Sequence, residues 1–197
     1  AITEGNGDAE RYRQFCVGRA SGLQAYARPY PAATAIGRRD GRRVLQIYWL
    51  SAREPGLALE NPRQVPAWDY PRQYGPRPPS FARAMLAPAL PGLPLMLSGT
   101  AAVVGHASRH PGDVDAQFDE AQRNFDALLD CARVHAPALP QHFGAGSLLK
   151  AYVRHEADLG RVASRLLQAG SGPAHALLLQ ADVCRCELLV EIDGFHA

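Results

Sequence analysis

Lysine is nearly missing from this chain and cysteine is scarce, and each scarcity narrows the chemistry. Lys150 is the one lysine among 21 lysine and arginine residues. Arginine forks grip carboxylates and phosphates with two parallel hydrogen bonds, so an arginine-lined pocket for a small anion is one reading; GC-rich coding bias is the other. The four cysteines, Cys16, Cys131, Cys184 and Cys186, lack the paired spacing of a zinc ribbon. A chain of 197 residues does not need disulfides for stability, so reduced thiols are expected. No apolar run reaches the roughly 20 residues of a membrane span. The opening AITEGNGDAERY has no basic and apolar leader. These absences predict a cytoplasmic protein without a membrane partner. Basic residues alternate with acids and no recognition motif occurs, which argues against nucleic acid.

What is present can fill a core, at 47% hydrophobic residues. Asp8 is placed to cap a helix with Tyr12, Phe15, Cys16, Ala20 and Leu23 at helical spacing. Residues 32–37 and 44–50 have strand composition, and the intervening Arg38-Arg39-Asp40-Gly41 predicts a hairpin turn. Residues 53–94 hold most of the prolines, which fix φ and remove ladder donors; this predicts an ordered irregular crossing packed by Trp68, Tyr70, Tyr74 and Phe81. Its arginines, Arg63, Arg72, Arg77 and Arg83, alternate with tyrosines, a mixture suited to an unsaturated dicarboxylate or to a solvated, proline-braced surface.

Residues 95–104, LMLSGTAAVV, read as a buried strand interrupted at Ser98-Gly99-Thr100, where glycine marks a bulge or a close approach. His106 and His110 lie four apart, but Gly105 and Pro111 argue against the helix that a metal pair would need. Asp113 caps an amphipathic helix with Val114, Phe118, Ala121, Phe125, Leu128 and Leu129 inward and a solvated face of Asp115, Asp119, Glu120, Arg123 and Asp126. In the strand 147–155, alternation sets Leu149, Ala151 and Val153 against Lys150, Tyr152 and Arg154; Tyr152 and Arg154 could face a pocket. A second amphipathic helix follows over residues 157–169. The final runs, Leu177–Val183 and Leu188–Ile192, flank Cys184-Arg185-Cys186-Glu187 and predict a closing hairpin. In the second run Leu188, Val190 and Ile192 would share one face and Glu191 the other. A half-apolar setting would raise the Glu191 pKa; a solvated outward glutamate is the alternative. The element order predicts an α+β fold, a mixed β-sheet with two helices packed on one face, whose other face needs cover from residues 8–51, another module or another subunit.

Four separated stretches, GDAERYRQFC (7–16), NPRQVPAWDYPRQYGPRPPSFARA (61–84), LSGTAAVVGHASRHPGDVDAQFDEAQRN (97–124) and LLLQADVCRCELLVEID (177–193), resemble the chorismatase family. The resemblance implies RidA/YjgF-like (chorismate-mutase-like) modules about a pseudo-threefold axis, a monomer in the family. Residues 1–75 resemble the later part of a central module and residues 76–197 a complete C-terminal one. The family's N-terminal module is therefore expected to lie outside this chain, which would act as an oligomer or together with that portion.

The resemblance further implies a small-molecule substrate, chorismate, with no metal and no organic cofactor. Glu191 falls at the catalytic acid, protonating the methylene carbon of the enolpyruvyl ether; holding its proton near pH 7 requires about 4 kcal/mol of preference for the neutral form. Gly99 and Cys184 match the branch that rearranges chorismate to hydroxybenzoate, so 3-hydroxybenzoate and pyruvate are the expected products, with 4-hydroxybenzoate as a second product. Cys184 would assist the ring hydroxyl and exclude water; without the resemblance it reads as a small buried apolar residue. Arg72, Arg77 and Arg154 are the candidates for the two carboxylates, with Tyr70, Tyr74 and Tyr152 for the ring, and Arg63, Arg83 and Arg161 in reserve. A RidA-like imine deaminase is an alternative, although Leu177–Val183 lacks the arginine it would want; a non-catalytic ligand-binding or oligomerisation module is another.

Overall fold

The computed structural model describes residues 1–25, 29–39, 44–90, 92–170 and 175–197. In chain order they form α1 (Arg11–Gly22), β1 (Leu57–Leu59), β2 (Ala84–Leu86), β3 (Leu95–Ala101), β4 (Val103–Val104), β5 (Ala107–Ser108), α2 (Val114–His135), β6 (Ser147–Val153), α3 (Leu159–Gln168), β7 (Ala176–Gln180) and β8 (Val190–His196). Six strands make one sheet in the order β1-β2-β3-β8-β6-β7, and β4 and β5 form a separate ribbon. The pair β6-β7 is parallel and the others are antiparallel. A parallel pair needs a crossover, and α3 supplies it. None of the described helices is long and apolar enough to cross a membrane.

The α2 helix starts where the Asp113 carboxylate accepts the Ala116 backbone N–H at 3.0 Å, satisfying one of the donors that a helix start leaves free. Its apolar stripe, Phe118, Ala121, Phe125, Leu128 and Leu129, is buried against Leu149, Ala151, Val153, Val190 and Ile192 of the sheet, with Val162 and Leu166 of α3 closing the layer. Each large side chain sealed there contributes about 1.5–3 kcal/mol. The charged flank is less solvated than the pattern suggests. Glu120 is buried and bonds Arg63, His110 and Arg123 at 2.5, 3.1 and 2.9 Å.

The predicted closing hairpin does not form. Strand β8 inserts between β3 and β6, leaving β7 on the far side of β6. The connector cannot be a tight turn because its backbone is bonded elsewhere. Asp182 exchanges N–H···O bonds with Gly37 at 2.9 Å. The buried Arg154 guanidinium donates to the carbonyls of Val183, Arg185 and Leu188, each at 2.8 Å. With the strand starting only at Val190, Leu188 turns the other way from Val190 and Ile192 and packs with Ala101, Val103 and Val183.

Two other readings change for similar reasons. Residues 32–37 form isolated bridges to Ala82 and Asp182 instead of a hairpin strand, because Ala33 N–H donates to Ser98 Oγ and Thr34 Oγ1 accepts from Gly99 N–H, both at 2.9 Å. Residues 44–50 are exposed and carry no strand, and the centre of the predicted turn, Asp40-Gly41, lies outside the described residues. Asp8 does not cap α1, whose N-cap is Glu10 without a side-chain bond; its carboxylate meets Arg72 at 2.5 and 3.0 Å instead.

Candidate active site

The sheet face turned away from α2 holds a cavity of about 560 Å³, within the range of small-molecule sites. Its floor is Gly99 and Ala101 of β3 with Glu191 of β8, one wall is the connector 184–188, and the opposite wall is α1 with Thr34. The proline-rich crossing closes the remaining side with Gln64, Tyr70, Tyr74, Phe81 and Arg83. The α1 helix is therefore part of the cover that this face requires.

Gly99 sits where the β3-β8 register shifts between Leu97 and Thr100. A Cβ there would overlap the Glu191 carboxyl oxygen and come within 2.9 Å of Glu191 Cδ and Thr34 Cγ2. The group for which glycine makes room is thus the acid itself. Glu191 is 5% exposed, and burial, followed by the Asp193 charge, raises its pKa from 4.5 to about 8; Arg83, Arg185 and the Cys184 thiol pull the other way. The Cys184 Sγ lies 3.9 Å from Glu191 Oε2. Burial and the Glu191 charge push the Cys184 thiol up, burial pushes Cys16 up to about 11, and Tyr12 is raised well above the phenol range. At neutral pH these groups all keep their protons.

Four arginines, Arg13, Arg19, Arg83 and Arg185, line the cavity together with the side chains of Glu10 and Glu187. Arg185 lies 3.8 Å from the Tyr74 ring centroid and 5.1 Å from that of Tyr70, and donates to His106 O at 2.9 Å and Ser108 Oγ at 3.1 Å. Arg83 is 4% exposed, donates to Val65 O at 3.0 Å and Tyr70 Oη at 2.7 Å, and lies 5.1 Å from the Phe81 ring. The Arg19 Nε donates to Ser80 O at 3.1 Å, burial lowers its pKa, and no carboxylate among the described residues is ion-paired with it. A half-buried guanidinium without a counter-charge is an anion site in waiting.

Of the candidates read from sequence, Glu191, Cys184, Gly99, Tyr70 and Tyr74 meet in this cavity, and the reserve Arg83 joins them. Four do not. Arg72 is on the surface, paired with Asp8, and Arg77 is exposed and outside the lining. Arg154 is buried and committed to the connector carbonyls and to Asp182 at 3.3 Å. Tyr152 is buried on β6, its hydroxyl donating to Asp193 Oδ2 at 3.1 Å. The remaining reserves are also occupied, Arg63 by Glu120 and Arg161 by Asp115. Sequence reasoning missed Tyr12, Cys16, Arg19 and Arg185. The first three recur at helical spacing on one face of α1, a signal equally good for core packing, and Arg185 sits inside the flagged Cys-Arg-Cys break. Among the described residues no group of three His, Cys, Asp or Glu is placed to hold a metal ion.

Comparison with known proteins adds an independent line. A family model described as chorismatase FkbO/Hyg5-like, N-terminal, matches residues 1–51. A 3-hydroxybenzoate synthase of Streptomyces hygroscopicus is 40% identical over 195 residues, covering 94% of this chain and 57% of the relative. A chorismatase of Streptomyces rapamycinicus is 37% identical over 196 residues, covering 95% and 58%. The crystal structure of a chorismatase superposes with a TM-score of 0.82 at 36% identity, over 100% of this chain and 61% of that one. The chain thus spans about three-fifths of the length of these relatives. At the level of fold alone it also resembles the yeast protein YEO7, with a TM-score of 0.51 at 11% identity, over 73% of this chain and 98% of that one. A putative endoribonuclease L-PSP from Entamoeba histolytica gives 0.50 at 11% identity, over 73% and 99%.

Proposed function

From a kinship to the chorismatases that runs through nearly the whole chain, we propose that the cavity binds chorismate and converts it to 3-hydroxybenzoate and pyruvate. The observation that carries this reading is the buried Glu191 carboxyl, its pKa raised by burial, lining one cavity with the guanidinium groups of Arg19, Arg83 and Arg185. A dianionic, unsaturated ring complements that arrangement in charge and in the stacking surface of Tyr70 and Tyr74.

Glu191 delivers its proton to the enolpyruvyl methylene, which becomes a methyl group, and positive charge develops at the ether carbon. The bond from the ring to the ether oxygen then breaks, its electron pair staying with that oxygen as pyruvate departs. The neighbouring ring hydroxyl bonds to the vacated carbon and its proton returns to the Glu191 carboxylate. The three-membered ring so formed opens at the hydroxyl's original carbon–oxygen bond, the electron pair passing to the oxygen. The ring aromatises by losing the hydrogen of the newly oxygenated carbon as a proton while that oxygen gains one, so the two products together contain the atoms of the substrate and nothing from water. Because the Cys184 thiol keeps its proton, its part is to fill space against water and to hydrogen-bond, not to act as a thiolate base. The arginines take the two carboxylates and oppose their departure until the rearrangement is complete.

Incubating the folded protein with chorismate and separating the products by chromatography tests the reading and resolves the 3- and 4-hydroxybenzoate isomers. Equal amounts of pyruvate and 3-hydroxybenzoate are expected, with 4-hydroxybenzoate as a minor product. A folded protein that yields neither pyruvate nor an aromatic acid removes the assignment.

A further inference from the structure

Asp193 follows Glu191 by two residues on β8, so both side chains stand on the face opposite α2, about 7 Å apart along the strand. The register sets Lys150 of β6 opposite Asp193 and Tyr152 opposite Glu191. Asp193 is 4% exposed and does not line the cavity. Its Oδ2 accepts the Tyr152 hydroxyl at 3.1 Å, its Oδ1 lies 3.1 Å from Lys150 Nζ, and Lys150 donates onward to the Tyr48 hydroxyl at 2.9 Å. Lys150 and Tyr152 thus grip both oxygens of the Asp193 side chain and fix its place on the strand. The sole lysine of the chain is spent on this contact.

A fixed negative charge beside a second buried carboxyl disfavours ionisation of the latter. Resting on the reading of Glu191 as the acid, we propose that Asp193, gripped by Lys150 and Tyr152, is a positioning residue that holds the proton on Glu191 at neutral pH. The other groups around Glu191 do not supply this effect, and the Lys150 ammonium 3.1 Å from Asp193 offsets part of it. Arg83, ahead of β2, and Arg185, in the connector, favour the charged carboxylate. Tyr12 and Cys16 of α1 and Cys184 of the connector are neutral, and Arg19 is cationic. The two further glutamates in the cavity wall are turned to other partners, Glu10 to Arg13 at 3.4 Å and Glu187 to Ser108 at 2.7 Å. Strand β3 presents Gly99 and Ala101, which carry no charge.

The test substitutes Asp193→Asn, which removes the charge and keeps an oxygen for Tyr152, and Asp193→Thr, which removes it with a different shape. Two readouts are compared with the parent protein: the alkaline limb of kcat/KM for chorismate, and titration of the Glu191 carboxyl by ¹³C NMR, with Glu191→Gln assigning the signal. Both limb and titration are expected to move toward acid by about one pH unit, a roughly tenfold loss on the alkaline side. A structural role alone would lower turnover at every pH and leave the titration in place, and that result in either folded variant overturns the proposal. The two claims fail separately. Absent turnover with a shifted titration removes chorismate and keeps the coupling; turnover with an unshifted titration removes the coupling and keeps chorismate.

Discussion

The two faces of the sheet are built from the same strands and have opposite character. Under α2 and α3 the strands present Leu149, Ala151, Val153, Val190 and Ile192, packed and dry. On the reverse they present Gly99 and Glu191 to the cavity, Lys150, Tyr152 and Asp193 in a polar cluster beside it, and farther along Leu148, Leu177 and Phe195 at 59, 55 and 42% exposure. Alternation with a period of two makes this possible: Glu191 stands between Val190 and Ile192, so the rigidity of the core is transmitted directly to the acid. A slip of one residue in β8 would bury the chemistry and expose the core. The two faces therefore answer to different measurements, one to stability and the other to turnover.

The substitution expected to separate the faces most widely is Glu191→Gln. Turnover of chorismate should fall by about 10³-fold, within the range of general acid catalysis, while the fold holds. Its stability should rise, with a definite pH dependence. The folded protein keeps a proton on Glu191 up to about pH 8 that the unfolded chain releases near 4.5. The parent therefore loses stability as pH rises through that window, and the variant should gain on the order of 5 kcal/mol over it above pH 8 by denaturant unfolding. On the helical face, Phe125→Ala should cost about 3–5 kcal/mol through the cavity it leaves, with the loss showing in the unfolding midpoint. If Phe125→Ala spared stability and removed turnover, the division between the faces would be false.

Smaller effects sharpen the comparison. Gly99→Ala should drive the Glu191 carboxyl from its seat and lower hydroxybenzoate formation about 10²-fold, seen in product yield with the unfolding midpoint little changed. Arg19→Gln removes a charge-assisted contact to a carboxylate and should raise KM about tenfold in steady-state kinetics. The smallest effect is expected at the exposed end of the same face, where Leu177→Ser should move stability by no more than about 0.5 kcal/mol and leave KM unchanged.

The helical face was legible because its signals are local. The Asp113 cap, the stripe of α2 and the alternation of β6 each sit within one element, and the same alternation set Glu191 on the face opposite Val190 and Ile192. The open face depends on contacts between residues far apart in sequence, and there the reading went astray. Composition marked both final runs as strands, yet whether they pair with each other is decided by Arg154, which anchors the connector, and by Gly37, which bonds Asp182. The arginines of the proline-rich crossing were sought for their regular spacing, but Arg72 had a carboxylate waiting in Asp8, 64 positions earlier. Family resemblance pointed to Glu191, Gly99 and Cys184, which line one cavity, because they lie in matched blocks; it did not rank the cations, whose availability depends on which carboxylates they already meet. Arg19 and Arg185 line the cavity with guanidinium nitrogens to spare.

A crystal structure with a chorismate analogue, its ether oxygen replaced by carbon, tests the central claim most directly. The analogue is expected in the cavity above Gly99, its methylene within about 3.5 Å of the Glu191 carboxyl and its carboxylates on Arg19, Arg83 or Arg185. An analogue bound elsewhere, or bound there with Glu191 turned from the methylene and no arginine on either carboxylate, would contradict it.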